Sequence, residues 1–346
     1  MSYEYEYLFD RTSMVRPDPE MGETWNRPIP DSPNQSWSHN HHNDSSGNVF
    51  AVVVTGSNDT VHSGSGDNDI IGANVAGGVQ KYRTTNPTAS VLELYAIGSR
   101  LYSGNANGDI EQYTIYGETD VTRTVHSDAV RGLAVEDTDT HDIVYSAAAG
   151  TVVTTDWSDN SELWSHTHNV GEVMDLTVSA DIVYSVDRDI SDSDAGGNVV
   201  AASTDSGSLQ WSVDTGAQGL LSVEQTANYV FAGTSSGDLI ALDKADGSTV
   251  FTYSTDEFSV GAVTYDNNRI YFAHDHRITA FDVNTFKKLW THSHHGSNVN
   301  DIAVSQNGIF SCDSNNTVIR TGRNYAQSSD GTYTMNVSDG SEWIQA

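Results

Sequence analysis

The clearest indication of the fold is the stretch Tyr229-Val230-Phe231-Ala232-Gly233, followed by Asp238-Leu239-Ile240-Ala241-Leu242-Asp243 and then by Gly247 and Phe251. It contains two short runs of aliphatic and aromatic residues joined by a polar turn, and a further run that ends on an aromatic residue. Short apolar runs bounded by glycine and polar residues predict β-strands joined by tight turns. This stretch therefore predicts part of a small antiparallel sheet.

The first of these runs recurs along the chain at intervals of about 40 residues, which is typical of propeller blades. We find seven copies, each with an aromatic or histidine side chain at the same position. These positions are His62, Tyr102, Tyr145, Tyr184, Phe231, Tyr271 and Phe310.

The last strand of several copies ends on an aromatic residue that follows the end of the third strand by eight residues. The pairs are Asp156 and Trp164, Ser203 and Trp211, Asp243 and Phe251, and Asp282 and Trp290. Four strands per copy make a sheet that cannot bury both of its faces alone, whereas sheets packed radially cover each other. The sequence therefore predicts an all-β protein, a seven-bladed β-propeller of four-stranded antiparallel blades with an extended N-terminal arm.

Two parts of the repeat resemble known propeller families. The stretch from Tyr229 to Phe251 is similar to the repeat of pyrroloquinoline-quinone-type and outer-membrane assembly propellers, and residues 126–135 resemble the opening of a WD repeat. The resemblance covers about residues 48–340 and implies the fold, but propellers have many unrelated functions. Many quinone enzymes have eight blades and adjacent cysteines, whereas this chain has seven copies and Cys312 alone. We therefore expect no quinone cofactor.

Composition suggests a salt-adapted source. The chain has 346 residues, with 47 Asp and Glu against 16 Lys and Arg, and its formal net charge is -31. Repulsion among so many carboxylates is screened at molar salt, where the Debye length falls to about 3 Å. Acidic, lysine-poor chains resemble proteins of haloarchaea or of the viruses that infect them.

The same features argue against other function classes. Binding of nucleic acid needs a basic surface, and no apolar run is long enough to span a bilayer. The first residues lack the charged and apolar regions of an export signal. We therefore expect no nucleic-acid partner, no membrane insertion, and a virion-associated or cytoplasmic location.

Residues 1–46 do not fit the repeat, so we predict an extended arm over 1–46 and the propeller over 47–346. The arm begins with aromatic residues that alternate with acidic ones, which predicts a strand. This strand either completes the last blade or pairs with a neighbouring subunit. The run from Gly331 to Val337 is an alternative last strand, which favours the partner role. The predicted partner-binding residues are Tyr3, Tyr5, Tyr7 and Phe9.

An acidic insertion in the fourth blade is a candidate metal site. Its carboxylates alternate with other residues and are followed by glycines, so the loop can wrap a structural divalent cation such as Ca²⁺ or Mg²⁺. The alternative is a solvated acidic loop. The candidate ligands are Asp187, Asp189, Asp192 and Asp194.

Histidines are predicted to gather at the same end of the ring. They suggest either a transition-metal site or a pH-sensitive contact, or hydrogen bonds within each blade, as in WD repeats. They are His39, His41, His42, His166, His168, His274, His276, His292, His294 and His295.

No nucleophile motif, phosphate loop or zinc signature is present, and Cys312 occupies a position where other copies have small core residues. We therefore expect a non-enzymatic protein that binds protein partners through its arm and one propeller face. The first hypothesis is a structural or attachment component of an assembly, such as a haloarchaeal virion. The alternatives are an intracellular interaction scaffold and a propeller hydrolase or oxidoreductase.

Overall fold

The computed structural model describes residues 35–40, 42, 48–55, 59–138, 140–168, 171–189, 196–255 and 259–322, together with three strands near the C-terminus. Throughout these ranges the regular structure is β-strand. None of the described segments is a helix of the length and hydrophobicity that a membrane span requires.

Seven four-stranded antiparallel sheets form the blades, and the first six use consecutive strands. Blades 1 to 3 are β2 (Val49–Val54), β3 (Thr60–Ser65), β4 (Ile70–Asn74) and β5 (Gln80–Thr84); β6 (Val91–Ile97), β7 (Arg100–Asn105), β8 (Asp109–Thr114) and β9 (Thr119–Thr124); and β10 (Val130–Asp137), β11 (Asp142–Ala148), β12 (Thr151–Asp156) and β13 (Ser161–Thr167).

Blades 4 to 6 repeat this arrangement. They are β14 (Glu172–Ser179), β15 (Ile182–Arg188), β16 (Gly196–Ser203) and β17 (Leu209–Gln218); β18 (Leu220–Gln225), β19 (Tyr229–Thr234), β20 (Asp238–Asp243) and β21 (Thr249–Ser254); and β22 (Val260–Asp266), β23 (Arg269–His274), β24 (Arg277–Asp282) and β25 (Lys287–His292). The predicted all-β, seven-bladed propeller is confirmed.

Blade 7 combines the two ends of the propeller. Its inner strands are β26 (Val299–Ser305), β27 (Gly308–Asp313) and β28 (Val318–Thr321), and its outer strand is β1 (Gln35–His39), which pairs with β28. Residues 35–39 belong to the segment predicted as an arm, so the first strand of the propeller lies inside that segment. The ring is closed because one sheet contains strands from both ends.

The C-terminal run does not complete blade 7. Strand β30 (Tyr333–Val337) pairs instead with β29 (Tyr325–Gln327) and β31 (Glu342–Gln345) in a separate three-stranded sheet. The prediction that the run from Gly331 to Val337 supplies the last strand was therefore wrong. Tyr3, Tyr5, Tyr7 and Phe9 lie outside the described residues.

The core lies between blades. All seven repeat positions of the second strand are buried, with at most 2% of the side chain exposed. In every blade the pairing between the two outer strands shifts register just before the position of the last-strand aromatic residue. In four blades the tryptophan ring at that position packs on the aromatic ring of the second strand, with ring centroids 5.8 to 6.2 Å apart. The four pairs are Phe310 and Trp37, Tyr145 and Trp164, Tyr184 and Trp211, and Tyr271 and Trp290.

Three of these four tryptophans, Trp37, Trp164 and Trp211, also bond to the next blade. The indole N–H of Trp164 donates to the Thr204 carbonyl at 2.6 Å, and that of Trp211 donates to the Lys244 carbonyl at 3.0 Å. Gly247 has a φ of +75° and lies against the Trp211 ring, where an added Cβ would come within 2.8 Å of a ring atom. Glycine is therefore needed both for the turn and for the contact between blades.

Candidate binding site in the central channel

The innermost strands of the seven blades surround a central cavity of about 930 Å³. Each of these strands has a buried aliphatic residue at its first position, or at its second position in β14, and the register shifts within the next two residues, as between Val91 and Glu93. Such a β-bulge re-aims the side chains that follow it. The positions after each of these aliphatic residues therefore form successive layers along the channel wall.

The first layer, which we call the rim, lies one residue after the buried aliphatic position. Four of its seven residues are apolar and half-buried. The rim comprises Phe50, Leu92, Arg131, Met174, Leu221, Gly261 and Asn300.

The next residue of each strand is at the bulge. Three of these seven positions carry carboxylates, Glu93, Asp175 and Asp301, which we call the acidic layer. They belong to blades 2, 4 and 7, so they are spread around the ring. The other four positions carry small, buried residues, and an added Cβ at Gly132 would come within 2.7 Å of the Leu176 amide nitrogen in the next blade. The four residues are Ala51, Gly132, Ser222 and Ala262.

Two residues of the acidic layer tie neighbouring blades together. Asp175 accepts hydrogen bonds from the amides of Leu176 and, in blade 5, of Val223, at 2.7 and 2.8 Å. Asp301 does the same with the amides of Ile302 and, in blade 1, of Val52, again at 2.7 and 2.8 Å. Glu93 is held by the amide of its own neighbour, Leu94, at the longer distance of 3.2 Å.

Burial raises the pKa of these carboxyl groups. It raises the pKa of Asp301 to about 6, and that of Glu224, deeper in the channel, to about 7. The pKa of Glu93 is raised well above its usual value, first by burial and then by the negative charges of Asp301 and Asp175. Burial also raises the pKa of Asp175. Burial thus disfavours the ionised form of each group.

The predicted metal loop begins with a residue that has other partners. Asp187 is buried and contacts His168 Nδ1 at 2.8 Å, and it accepts the Asn198 amide at 2.8 Å. Asp189 is half-buried, whereas Asp192 and Asp194 lie outside the described residues. Within the described part of the chain, no three His, Cys, Asp or Glu side chains are grouped to hold a metal ion. Cation binding by the whole loop stays a prediction.

Several histidines are hydrogen-bonded within their blades, as in the WD-type alternative. In three blades a buried histidine contacts both an aspartate and a serine at 2.7 to 3.0 Å. These sets have the residue types of a catalytic triad, but each is buried, so their serines are sealed from substrate. They are His42, Asp69 and Ser63; His168, Asp187 and Ser185; and His295, Asp313 and Ser311.

Two further histidines have hydrogen-bond partners close by, and the single cysteine is buried. His126 contacts Ser146 at 2.8 Å, with Ala148 in place of an aspartate, and His276 contacts Asp275 at 2.6 Å. Cys312 is fully buried, which raises its thiol pKa. The prediction that Cys312 is a core residue is confirmed.

The acidic layer was not predicted from the sequence. A signal exists, because each carboxylate comes two residues after a buried aliphatic residue at or next to the start of an innermost strand, as in Val173 and Asp175. Recognising it requires knowing that the strand bulges there, since a regular strand would turn residues two apart to the same face.

Comparisons with known proteins agree with this architecture. The crystal structure of the computationally designed Ika8 protein matches with a TM-score of 0.61 and 19% sequence identity, over 80% of this chain and 97% of the designed one. At that identity the match shows a shared fold. No curated protein sequence matches the chain. A profile of the PQQ-like repeat family described as outer membrane protein assembly factor BamB matches residues 125–227 and 195–346. Because these segments together cover more than half of the sequence, the chain belongs to that family.

Proposed function

We propose that this protein is a non-catalytic component of a larger assembly and binds a protein partner at the rim of its channel. The observation that carries the proposal is the concentration of half-buried apolar side chains around the channel mouth, at Phe50, Leu92, Met174 and Leu221. Apolar residues gathered at one place on a surface mark interaction sites. A partner that covers them gains the free energy of apolar burial.

Polar groups flank this apolar part of the rim. Arg131 Nε lies 2.5 Å from Glu172 Oε1, and Arg188 Nη2 lies 3.2 Å from Glu172 Oε2. On another side, Asn300 donates to the Val49 carbonyl at 2.6 Å. An apolar centre with a polar border is the usual anatomy of a protein interface.

We propose no reaction for the protein. The three Ser–His–Asp sets are buried within blades, and two of the three acidic-layer carboxylates are bonded to main-chain amides that join blades. These bonds support a structural role for those residues. If Asp189 belonged to an enzyme, its replacement would abolish an activity while the fold was retained.

We also propose that the assembly works at high salt, with a haloarchaeal virion as the candidate. Support comes from the formal net charge of -31 and from the use of only four lysines, at Lys81, Lys244, Lys287 and Lys288. Fractionation of the producing culture tests this idea. A virion component sediments with particles, whereas recovery only from the soluble cell fraction would favour the intracellular scaffold.

Site-specific photo-crosslinking tests the binding surface in the native source. A photoreactive residue at Leu92 should yield a discrete cross-linked partner, and the same residue at the exposed Leu209 should not. The change of Leu221 to Ser in the Leu92-labelled protein should reduce the yield. Leu163→Ser, on an exposed outer strand, is the matched control. Equal products from Leu92 and Leu209 would contradict the proposal.

A further inference from the structure

We propose that the channel receives a cationic side chain, a lysine or arginine, from the segment of the partner that covers the rim, with Glu93 as its main counter-ion. This inference rests on the proposed function and adds the chemistry of the partner. It combines three features of the channel: the apolar rim, the acidic layer beneath it and the cavity that both line.

The depth of the channel suits such a side chain. The acidic layer is one residue further along each innermost strand than the rim, and one residue of strand spans about 3.3 Å. Glu224 follows Leu221 further along the same strand, β18. A segment resting on the rim could therefore extend a lysine stem of four carbons past Leu92 and Leu221 to these carboxylates. Long cationic side chains commonly bury their stems against apolar surface in this way.

Charge complementarity selects a cation. Three carboxylates at one level, with Glu224 further along the channel, line the same cavity and are half-buried there. An anionic occupant would disfavour the ionised forms of these groups further and a neutral one would bring no opposite charge, whereas a cation stabilises the ionised forms. Because burial favours protonation of these carboxyl groups, binding of a cation should release protons, and affinity should rise with pH.

The surrounding ionisable groups do not reverse this expectation. Arg131 is paired with Glu172 at the rim, and Lys244 lies outside the channel wall, where it bonds to Gln225 and to the Thr226 carbonyl. The ionisable side chains on the innermost strands are, in chain order, Glu93, Tyr95, Arg131, Glu136, Asp137, Glu172, Asp175, Glu224, Tyr265, Asp266 and Asp301. Acidic groups outnumber basic ones on these strands.

An ammonium or guanidinium group fits this layer better than a bare metal ion. Both oxygens of Asp175 and both oxygens of Asp301 already accept main-chain amides. A dehydrated metal would compete with those bonds, whereas an organic cation brings its own hydrogen-bond donors. Glu93, which has the longer amide contact, is the group best able to move towards it.

Titration of the folded protein with small probes tests the inference. Nα-acetyl-lysine amide and Nα-acetyl-norleucine amide have the same four-carbon stem and differ in the terminal ammonium group. We expect the lysine probe to bind at least about tenfold more tightly, the scale of a buried charge pair. Binding should be tighter at pH 8 than at pH 5.5. Calorimetry in two buffers of different ionisation enthalpy should detect proton release.

Two variants locate the site. Glu93→Gln should weaken binding of the lysine probe, while Glu118→Gln, which removes the same charge from an exposed turn, should not. If Glu93→Gln does not fold, Thr264→Lys provides the test, because a lysine fixed in the channel wall should block the probe. Equal binding of both probes, equal effects of the two glutamine variants, or displacement of the lysine probe by millimolar Mg²⁺ would each overturn the inference.

The two proposals can fail separately. If the lysine probe does not bind but photo-crosslinking from Leu92 still captures a discrete partner, the inference falls and the binding surface stands. If the probe binds but the Leu92 and Leu209 positions give equal cross-linking, the channel site stands without the rim as a protein interface.

Discussion

Asp301 Oδ2 accepts a hydrogen bond from the main-chain N–H of Val52 at 2.8 Å, although the two residues are 249 positions apart in sequence. This bond joins the innermost strand of the last blade to that of the first. Asp175 makes the equivalent bond to Val223 between blades 4 and 5. Carboxylates at the bulge position thus hold the ring together from inside the channel, at the level where the cationic side chain is proposed to bind.

Removal of the hydrogen bond between Asp301 and Val52 should destabilise the protein. Asp301→Ala leaves the Val52 amide without its acceptor, and an unsatisfied buried amide costs about 1–3 kcal/mol. We expect the free energy of unfolding to fall by about that amount in a urea titration. Asp205→Ala, an exposed aspartate, is the control and should change it by less than about 0.5 kcal/mol. Equal free energies of unfolding for the two variants would argue against a stabilising bond between Asp301 and Val52.

The raised pKa of Glu224 predicts a pH dependence of stability. Its folded-state pKa of about 7 lies above the usual value of 4.5, so the folded state binds this proton more tightly than the unfolded state. The resulting stabilisation is complete below about pH 4.5 and is lost as the pH rises to about 7.

Urea titrations at pH 5 and pH 8 measure this contribution. Because Glu224 lines the channel and is half-buried, we expect about 1–2 kcal/mol. Glu224→Gln should lose less stability than the wild type between the two pH values. If both proteins respond equally to pH, Glu224 is not the group that titrates.

The strand that closes the ring can be tested through Trp37. Its ring lies 5.9 Å from that of Phe310, and its indole N–H donates to the Val75 carbonyl of blade 1 at 3.0 Å. Trp37→Ala should lower the free energy of unfolding by about 2–3 kcal/mol, below the full range for buried tryptophan because the ring is half-buried. Trp37→Phe, which removes mainly the hydrogen bond, should cost about 1 kcal/mol. If Trp37→Ala left the free energy of unfolding unchanged, this strand would contribute little to closure of the ring.

Salt should stabilise the protein. At the formal net charge of -31, raising KCl from 0.1 to 1 M shortens the Debye length from about 10 to about 3 Å. We expect the melting temperature to rise over this range because repulsion among carboxylates is screened. A melting temperature that is flat or falls with KCl would contradict the salt-adapted interpretation.

The buried Ser–His–Asp sets should be chemically silent. A fluorophosphonate, which labels activated serines, should not modify Ser185 in the folded protein, because Ser185 and His168 are buried. His168→Ala should instead destabilise the fold, since it removes the contact to the buried Asp187 carboxylate. Stoichiometric labelling of Ser185, detected by mass spectrometry, would favour the hydrolase alternative.

Local pattern and composition are sufficient to predict the repeat, the number of blades, the aromatic position of most last strands and the net charge. A period-2 run and its aromatic end depend only on nearby residues, so the repeat positions from Tyr102 to Trp290 follow from the sequence. The burial of Cys312 follows from the same repeat.

How the ring closes and which residues line the channel follow from the packing of the blades and not from local pattern. Trp37 occupies the last-strand aromatic position of blade 7, but no local pattern joins it to β28, because closure pairs residues from opposite ends of the chain. Glu93, Asp175 and Asp301 look like ordinary strand carboxylates in sequence. They share one level of the channel because each innermost strand bulges and the blades pack radially, which brings distant residues together around a common axis.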